Sequence, residues 1–362
     1  MIRVAVVGLG KMGLSHLAIL RTHPEVDVVA ACDGLSYLTR SLERYGNIKG
    51  YNDFDEMLRK EPLDAIVVAT PSKSHGALVE KAIGAGIHVF CEKPFVLDPA
   101  EGERLAEKAE QAALVTQVGY HYRFVATFCE AARIVRSGVV GRVHHVGAEA
   151  YGPVVLQPKG STWRSDRNEG GGVIYDYACH AIDLVHSMIG PLQGVSGVIR
   201  KRIFSRDVDD EVYCSLHGPN GVSGQLSVNW SDESCRKMMT RIAIWGENGT
   251  IKADRQECLV YLRKPVPSEP GLGQGWTVLN TTGLQEPPWF YLRGEEYSRQ
   301  IESFVHRVNT RAVQGINDFR SALETDRVVA MIHGTLAQSA ALRGRNSGLF
   351  GWLRKGRPGG GG

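Results

Sequence analysis

Apolar positions along the first 120 residues follow two alternating rhythms. Short β-rich runs, IRVAVVG (2–8), VDVVAACD (26–33), DAIVVAT (64–70), IHVFCE (87–92) and LVTQVGY (114–120), are separated by amphipathic stretches over 11–22, 36–45, 74–85 and 98–112. A weaker strand at 48–51 and a helix over 53–60 bring the series to six strands. This alternation predicts an α/β domain with a doubly wound parallel sheet, which takes ligands beyond the carboxyl ends of its strands.

From Arg123 the rhythm changes. A helix over 126–137 leads into a long strand, 142–152, and after a helical stretch near 173–186 come strand patterns at 194–206, 209–217, 222–231, 239–246, 250–254, 257–264 and 276–281. GENGT (246–250) carries the Asn-Gly pair that favours a tight hairpin turn. Helices over 293–309 and 318–342 close the series, and no repeat of solenoid period interrupts it. The expected units are 1–122, a dinucleotide-binding domain, and 123–343, a second α+β domain on a large, mostly antiparallel open sheet; the basic, glycine-rich stretch 344–362 reads as a disordered tail.

Composition narrows the partners. Forty-two basic against 39 acidic residues, dispersed along the chain, predict neither nucleic acid nor a membrane surface as a partner. No apolar run approaches the ~20 residues that span a bilayer. Seven cysteines without C-x-x-C spacing read as reduced thiols in a cytoplasmic protein, with no metal site implied. Adjacent His144 and His145 would face opposite sides of a strand, and His180, Asp183 and His186 lack a metal spacing.

The first chemistry lies at the end of the first strand, in Gly8-Leu9-Gly10-Lys11-Met12-Gly13. Glycines here allow a tight turn, close approach of a pyrophosphate and packing of helix on strand, while the helix N-terminus offers N–H groups to phosphate. Asp33, ending the second strand 20 residues after Gly13, stands where a carboxylate accepts hydrogen bonds from a ribose diol. Its charge would repel a 2′-phosphate, and no arginine follows it directly, so NAD is favoured over NADP.

Two further stretches stand out. HVFCEKPF places Glu92, Lys93 and Pro94 at the end of the fifth strand, and the proline restricts the direction of the lysine. GGGVIYDYACHAIDLVH (170–186) opens a helix with Asp176 and His180 four residues apart, on one face.

GLGKMG with Asp33, ATPSKSHGALVEKAIGAGIHVFCEKP (69–94), QVGYHYRF (117–124) and GGGVIYDYACHAID (170–183) together resemble the glucose-fructose oxidoreductase, inositol dehydrogenase and MocA family, from Ile2 to about Leu342. The resemblance implies a Rossmann domain, a C-terminal α/β domain, and hydride transfer between a nicotinamide cofactor and a hydroxyl or ketone of a sugar, cyclitol or nucleotide-linked sugar. It puts the family's catalytic lysine on Lys93, its carboxylate on Asp176 and its histidine on His180. Thr70, Pro71, Ser72 and His75 fall where the family lines the nicotinamide-ribose side, next to Glu92. His121 and Tyr122 after the sixth strand, and Trp163 and Arg164 in GSTWRSDRNEGGG (160–172), are candidate substrate contacts. The family's open sheet face implies a homodimer or homotetramer.

Two alternatives stay open: a non-catalytic dinucleotide-dependent sensor of the same fold, and an oxidoreductase that recycles a tightly held cofactor. For the catalytic reading, Asp176 is expected to raise the pKa of His180 modestly and to keep Lys93 protonated. Oxidation should then rise with pH through one ionisation near or somewhat above neutrality.

Overall fold

The computed structural model describes residues 1–158, 160, 162–284 and 286–334. The expected tail (344–362) and the end of the last expected helix lie outside the described residues. The first unit runs β1 (Ile2–Val7), α1 (Lys11–Thr22), β2 (Val26–Cys32), α2 (Ser36–Gly46), β3 (Lys49–Tyr51), α3 (Phe54–Lys60), β4 (Ala65–Val68), α4 (His75–Gly84), β5 (His88–Cys91), α5 (Pro99–Gln111) and β6 (Thr116–Val118). All pairings are parallel, in the order β3-β2-β1-β4-β5-β6. The order reverses between β1 and β4, which opens the ligand crevice there. Local chemistry sets several helix starts: Asp98 accepts the N–H of Ala100 ahead of Pro99 at the first position of α5, and Asp53 accepts that of Glu56 in α3.

The second unit comprises α6 (Ala126–Arg136), β7 (Val143–Tyr151), α7 (Cys179–Ile189), β8 (Gly194–Lys201), β9 (Glu211–His217), β10 (Ser223–Asn229), β11 (Met239–Gly246), β12 (Gly249–Ala253), β13 (Glu257–Leu262), β14 (Gly275–Asn280) and a short α8 (Thr281–Leu284) that the sequence pattern does not announce. The eight strands lie in the order β14-β13-β12-β11-β7-β10-β9-β8, antiparallel except for the central β7–β10 pair. Along β7, β10 and β11 buried residues alternate with more exposed ones, so one face carries the core and α6 and α7 pack against it.

The last two helices return to the first unit. α9 (Glu295–Thr310) packs on α1, and its Tyr297, Ile301, Phe304 and Val305 share a core with Val4, Val6, Leu9 and Leu20. α10 (Phe319–His333) packs on α5 and α7. Buried polar contacts fasten this return: Gln117 donates to the carbonyl of Gln300, Arg307 to that of Thr116 and Asn317 to that of Tyr120. Among the described residues no helix is long and apolar enough to cross a membrane.

Candidate active site

The glycine turn has the steric character its sequence implies. Gly8 has φ +90°, and a Cβ there would stand 2.7 Å from the backbone of Ala69 and Thr70; one on Gly13 would stand 1.7 Å from the carbonyl oxygen of Gly8. Gly10 is different: a Cβ there would meet nothing within 4 Å, so its glycine leaves the outer side of the turn open for a ligand. Asp33 leans toward this turn, one oxygen accepting the N–H of Leu9 (2.6 Å) and the other that of Leu35 (2.8 Å). Lys11 is exposed and Met12 packs inward beside Leu9.

The β4 loop holds the other cofactor-side candidates. Thr70 is half-buried with its hydroxyl accepting from Ser74, Pro71 is exposed, and Ser72 is buried against the Gly170 turn of the second unit. His75 is buried with Nδ1 2.9 Å from the Pro94 carbonyl and Nε2 3.0 Å from that of Thr70. Burial depresses its pKa although both carbonyls favour the charged ring. It lies between the β4 loop and the cis Lys93–Pro94 peptide, and as a neutral ring it donates to one of these two carbonyls.

Glu92 is buried, and its carboxylate contacts His16 Nε2 at 2.6 Å and accepts the N–H of Lys93. Burial pushes its pKa up, but His16 and Lys93 more than offset this and hold it below the usual value. A Cβ on Gly119 would come within 2.9 Å of this carboxylate. Sequence reading did not single out His16. Its only signal was a histidine on the inward face of α1, among Leu17, Ile19 and Leu20.

Lys93 meets the second unit where its helix begins. Residues Ile174–Ala178 form a π-turn, with the N–H of Cys179 bonded to the carbonyl of Ile174, and α7 follows. The single α-helix expected there is therefore widened around Asp176, a feature common at functional sites. The Lys93 ammonium donates to Asp176 Oδ1 (2.9 Å), the Asp176 carbonyl (2.8 Å) and the Tyr175 carbonyl (3.4 Å), which occupies all three of its protons. Arg164 Nε donates to the other Asp176 oxygen at 3.1 Å, and its guanidinium lies 4.4 Å from the Trp163 ring. Burial opposes charge on both Lys93 and Asp176, yet their attraction prevails: the lysine's pKa is raised and the carboxylate's lowered, with Arg164 adding to the latter.

His180 behaves otherwise than expected. Among the described residues no hydrogen bond joins it to Asp176, whose oxygens face Lys93 and Arg164 instead. The ring sits among aromatic neighbours, 4.8 Å from His121, 5.1 Å from Tyr122 and 5.9 Å from Tyr120 between centroids, and its buried Nδ1 has no partner. Burial, then the Lys93 ammonium with Arg255 adding to it, push its pKa well below 6.5, the reverse of the modest rise anticipated. Lys93 does stay protonated, as anticipated.

The wall behind His121 was not legible in the sequence. His121 stacks on Tyr297 of α9 (4.6 Å, 19°), and burial holds its pKa near 3. Arg255, ion-paired with the buried Glu296 at 2.5 Å, lies 5.6 Å from the Tyr122 ring. Arg123 and Asp183 form a buried two-point ion pair (2.8 and 2.6 Å) that fastens α7 to the exit of β6. Asp183 therefore steadies the helix.

Residues 2–120 match the family model described as an oxidoreductase family with an NAD-binding Rossmann fold, and residues 128–252 match the GFO/IDH/MocA C-terminal domain. An uncharacterized oxidoreductase of Schizosaccharomyces pombe is 30% identical over 69% of this chain and 70% of its own. The chain belongs to the GFO/IDH/MocA oxidoreductase family. Within it, scyllo-inositol 2-dehydrogenase (NAD(+)) of Bacillus subtilis is 28% identical over 54% of this chain and 56% of that protein. Levoglucosan dehydrogenase in complex with NADH shares the fold, with a TM-score of 0.81 at 18% identity over 92% of this chain and 96% of that one. The open side of Gly10, the steric demand at Gly8 and Gly13 and the inward Asp33 fit the dinucleotide of a GFO/IDH/MocA protein.

Proposed function

We propose that the protein is a cytoplasmic NAD-preferring dehydrogenase, or ketoreductase in reverse, acting on a hydroxyl-bearing carbon of a sugar, cyclitol or nucleotide-linked sugar. The observation that carries this reading is the convergence of Lys93, at the carboxyl end of β5, with Asp176 on the π-turn before His180. Two NAD(H)-named relatives, scyllo-inositol 2-dehydrogenase and levoglucosan dehydrogenase, support the substrate class.

Bound NAD supplies the hydride acceptor; the remaining steps fall to this chain. His180 is neutral and takes the hydroxyl proton, through Nε2 because Nδ1 is buried. Lys93 stabilises charge on the same oxygen, and its long 3.4 Å bond to the Tyr175 carbonyl is the one a substrate oxygen replaces at least cost. Asp176 keeps the ammonium charged and aimed. Arg164 and Trp163, together with His121 and Tyr122, contact the rest of the substrate. Asp33 receives the ribose diol, with Gly8 to Gly13 and Thr70 to His75 shaping the cofactor groove.

The units 1–122 and 123–343 work as cofactor and substrate domains, although α9 packs with the former. The outer face of the second sheet, with Trp276 and Val278 about half exposed, pairs copies into a homodimer or homotetramer. All seven cysteines are free thiols, which suits a reducing compartment. The test is a screen of sugars, cyclitols and nucleotide sugars with NAD and NADP, following reduced-cofactor formation. Turnover of none of them, with NADH still bound, would favour the sensor reading. Reduced-nicotinamide absorbance in the protein as purified would favour the recycling one.

A further inference from the structure

The segment leading into α9 has a backbone that its sequence does not favour. Arg293 has φ +66°, in the left-handed region that side chains other than glycine avoid, and Gly294 follows at φ +152°. Such conformations persist where surrounding structure enforces them, often at ligand clamps. Here the enforcing contacts are clear: Leu292 and Tyr297 pack on the core cluster that contains Leu9 of the glycine turn and touches Met12. Farther along α9, Glu302 meets His23 at 3.0 Å, beyond the end of α1. The beginning of α9 therefore lies toward the beginning of α1, where the glycine turn is.

Arg293 itself is exposed and has no carboxylate partner among the described residues. Its guanidinium lies 5.5 Å from the centroid of Tyr297, whose ring stacks on His121 beside the Lys93 end of the cleft. An unneutralised guanidinium is thus held at the lip between the glycine turn and the catalytic residues. We propose that Arg293 is a cofactor-binding residue that closes over the diphosphate of the dinucleotide from the side opposite the glycine turn. The α1 N-terminus offers N–H groups to one side of that diphosphate, and a planar guanidinium suits the oxygens on the other. The proposal rests on the family's NAD-binding fold and adds a contact from the far end of the chain.

Arg293→Gly tests it directly, because glycine adopts φ +66° freely while losing the cation. NADH affinity is read by fluorescence titration, and ADP-ribose and adenosine affinities by competition, alongside the Tm of the cofactor-free protein. The expected result is about a tenfold or greater loss of affinity for NADH and ADP-ribose at low salt, little change for adenosine, and a Tm unchanged or higher. Arg293→Lys should recover part of the lost affinity. Unchanged NADH and ADP-ribose affinity in Arg293→Gly overturns the proposal, as does a lowered Tm with all three ligands weakened alike, the mark of a structural role. If Arg293→Gly raises only the KM of the substrate, the anion it faces is on the substrate and the proposal is likewise overturned. Failure of the wild type to bind NADH would instead bring down the cofactor reading on which it rests.

Discussion

Asp33 and Asp176 are two carboxylates in one cleft, held in opposite ways. Asp33 accepts backbone N–H groups from Leu9 and Leu35, the latter two residues away, and among the described residues it forms no ion pair. Asp176 is buried between two cations from separate segments: Lys93, 83 positions away on the first unit, and Arg164 on the loop before the helix. The nucleotide wall is thus built from turn geometry and backbone donors, which survive small movements between the units. The proposed catalytic wall is built from charges brought together across the unit boundary, and it exists only while the units are docked. That difference separates what each wall should lose when a single residue is changed.

The largest effect is expected at the joint between the walls. Asp183→Ala leaves the Arg123 guanidinium buried and unpaired, and should cost about 3–5 kcal/mol of stability in urea denaturation. A loss below about 1 kcal/mol would mean that the joint does not depend on this pair.

Lys93→Met comes next. Removing a preorganised charged donor should lower kcat/KM by about 10²–10³-fold, while NADH affinity stays within about twofold. A comparable loss of NADH affinity would show that the two walls are not separable.

Asp33→Ala should do the converse. The preference for NAD over NADP, measured as a ratio of kcat/KM values, should narrow by about tenfold, or ~1.4 kcal/mol, with the pH profile unchanged. A wild-type preference for NADP would reverse the reading of this wall.

The smallest effect concerns pH. His180 is neutral above its depressed pKa, so oxidation should hold through neutral and alkaline pH and fall as pH drops through a value well below 6.5. Arg255→Gln removes one of the charges that depress it, and should move that fall to higher pH. An ionisation near or above neutrality in the wild type would mean that substrate or cofactor resolvates the ring, or that another group is the base.

Much of this protein was legible in the chain. The six parallel strands, the glycine turn, the hairpin at 246–250 and the long antiparallel sheet follow from local periodicities, although the hairpin's two-residue loop is Glu247-Asn248, with Gly249 opening β12, and not the Asn-Gly pair. Gly13 could be read as obligatory because a Cβ there would meet the carbonyl of Gly8 within the same turn, and Gly8 because of its φ of +90°, although the Ala69–Thr70 backbone that also crowds it comes from the β4 loop. The positions of Lys93, Asp176 and His180 were equally readable, but not their partners.

Sequence alone determined most of the elements, the glycine turn after β1 and the residue types available to the site, since each depends largely on local geometry. Tertiary structure alone decided that Asp176 answers Lys93 and Arg164 rather than His180, that His16 faces Glu92, that a π-turn widens the helix at Asp176, and that α9 returns Tyr297 and Arg293 to the mouth of the cleft. The physical reason is that charge interactions and desolvation depend on distance and burial in space. Spacing along the chain does not encode these, so the four-residue interval that suggests a shared face for Asp176 and His180 leaves one paired with cations and ionised and the other buried and neutral.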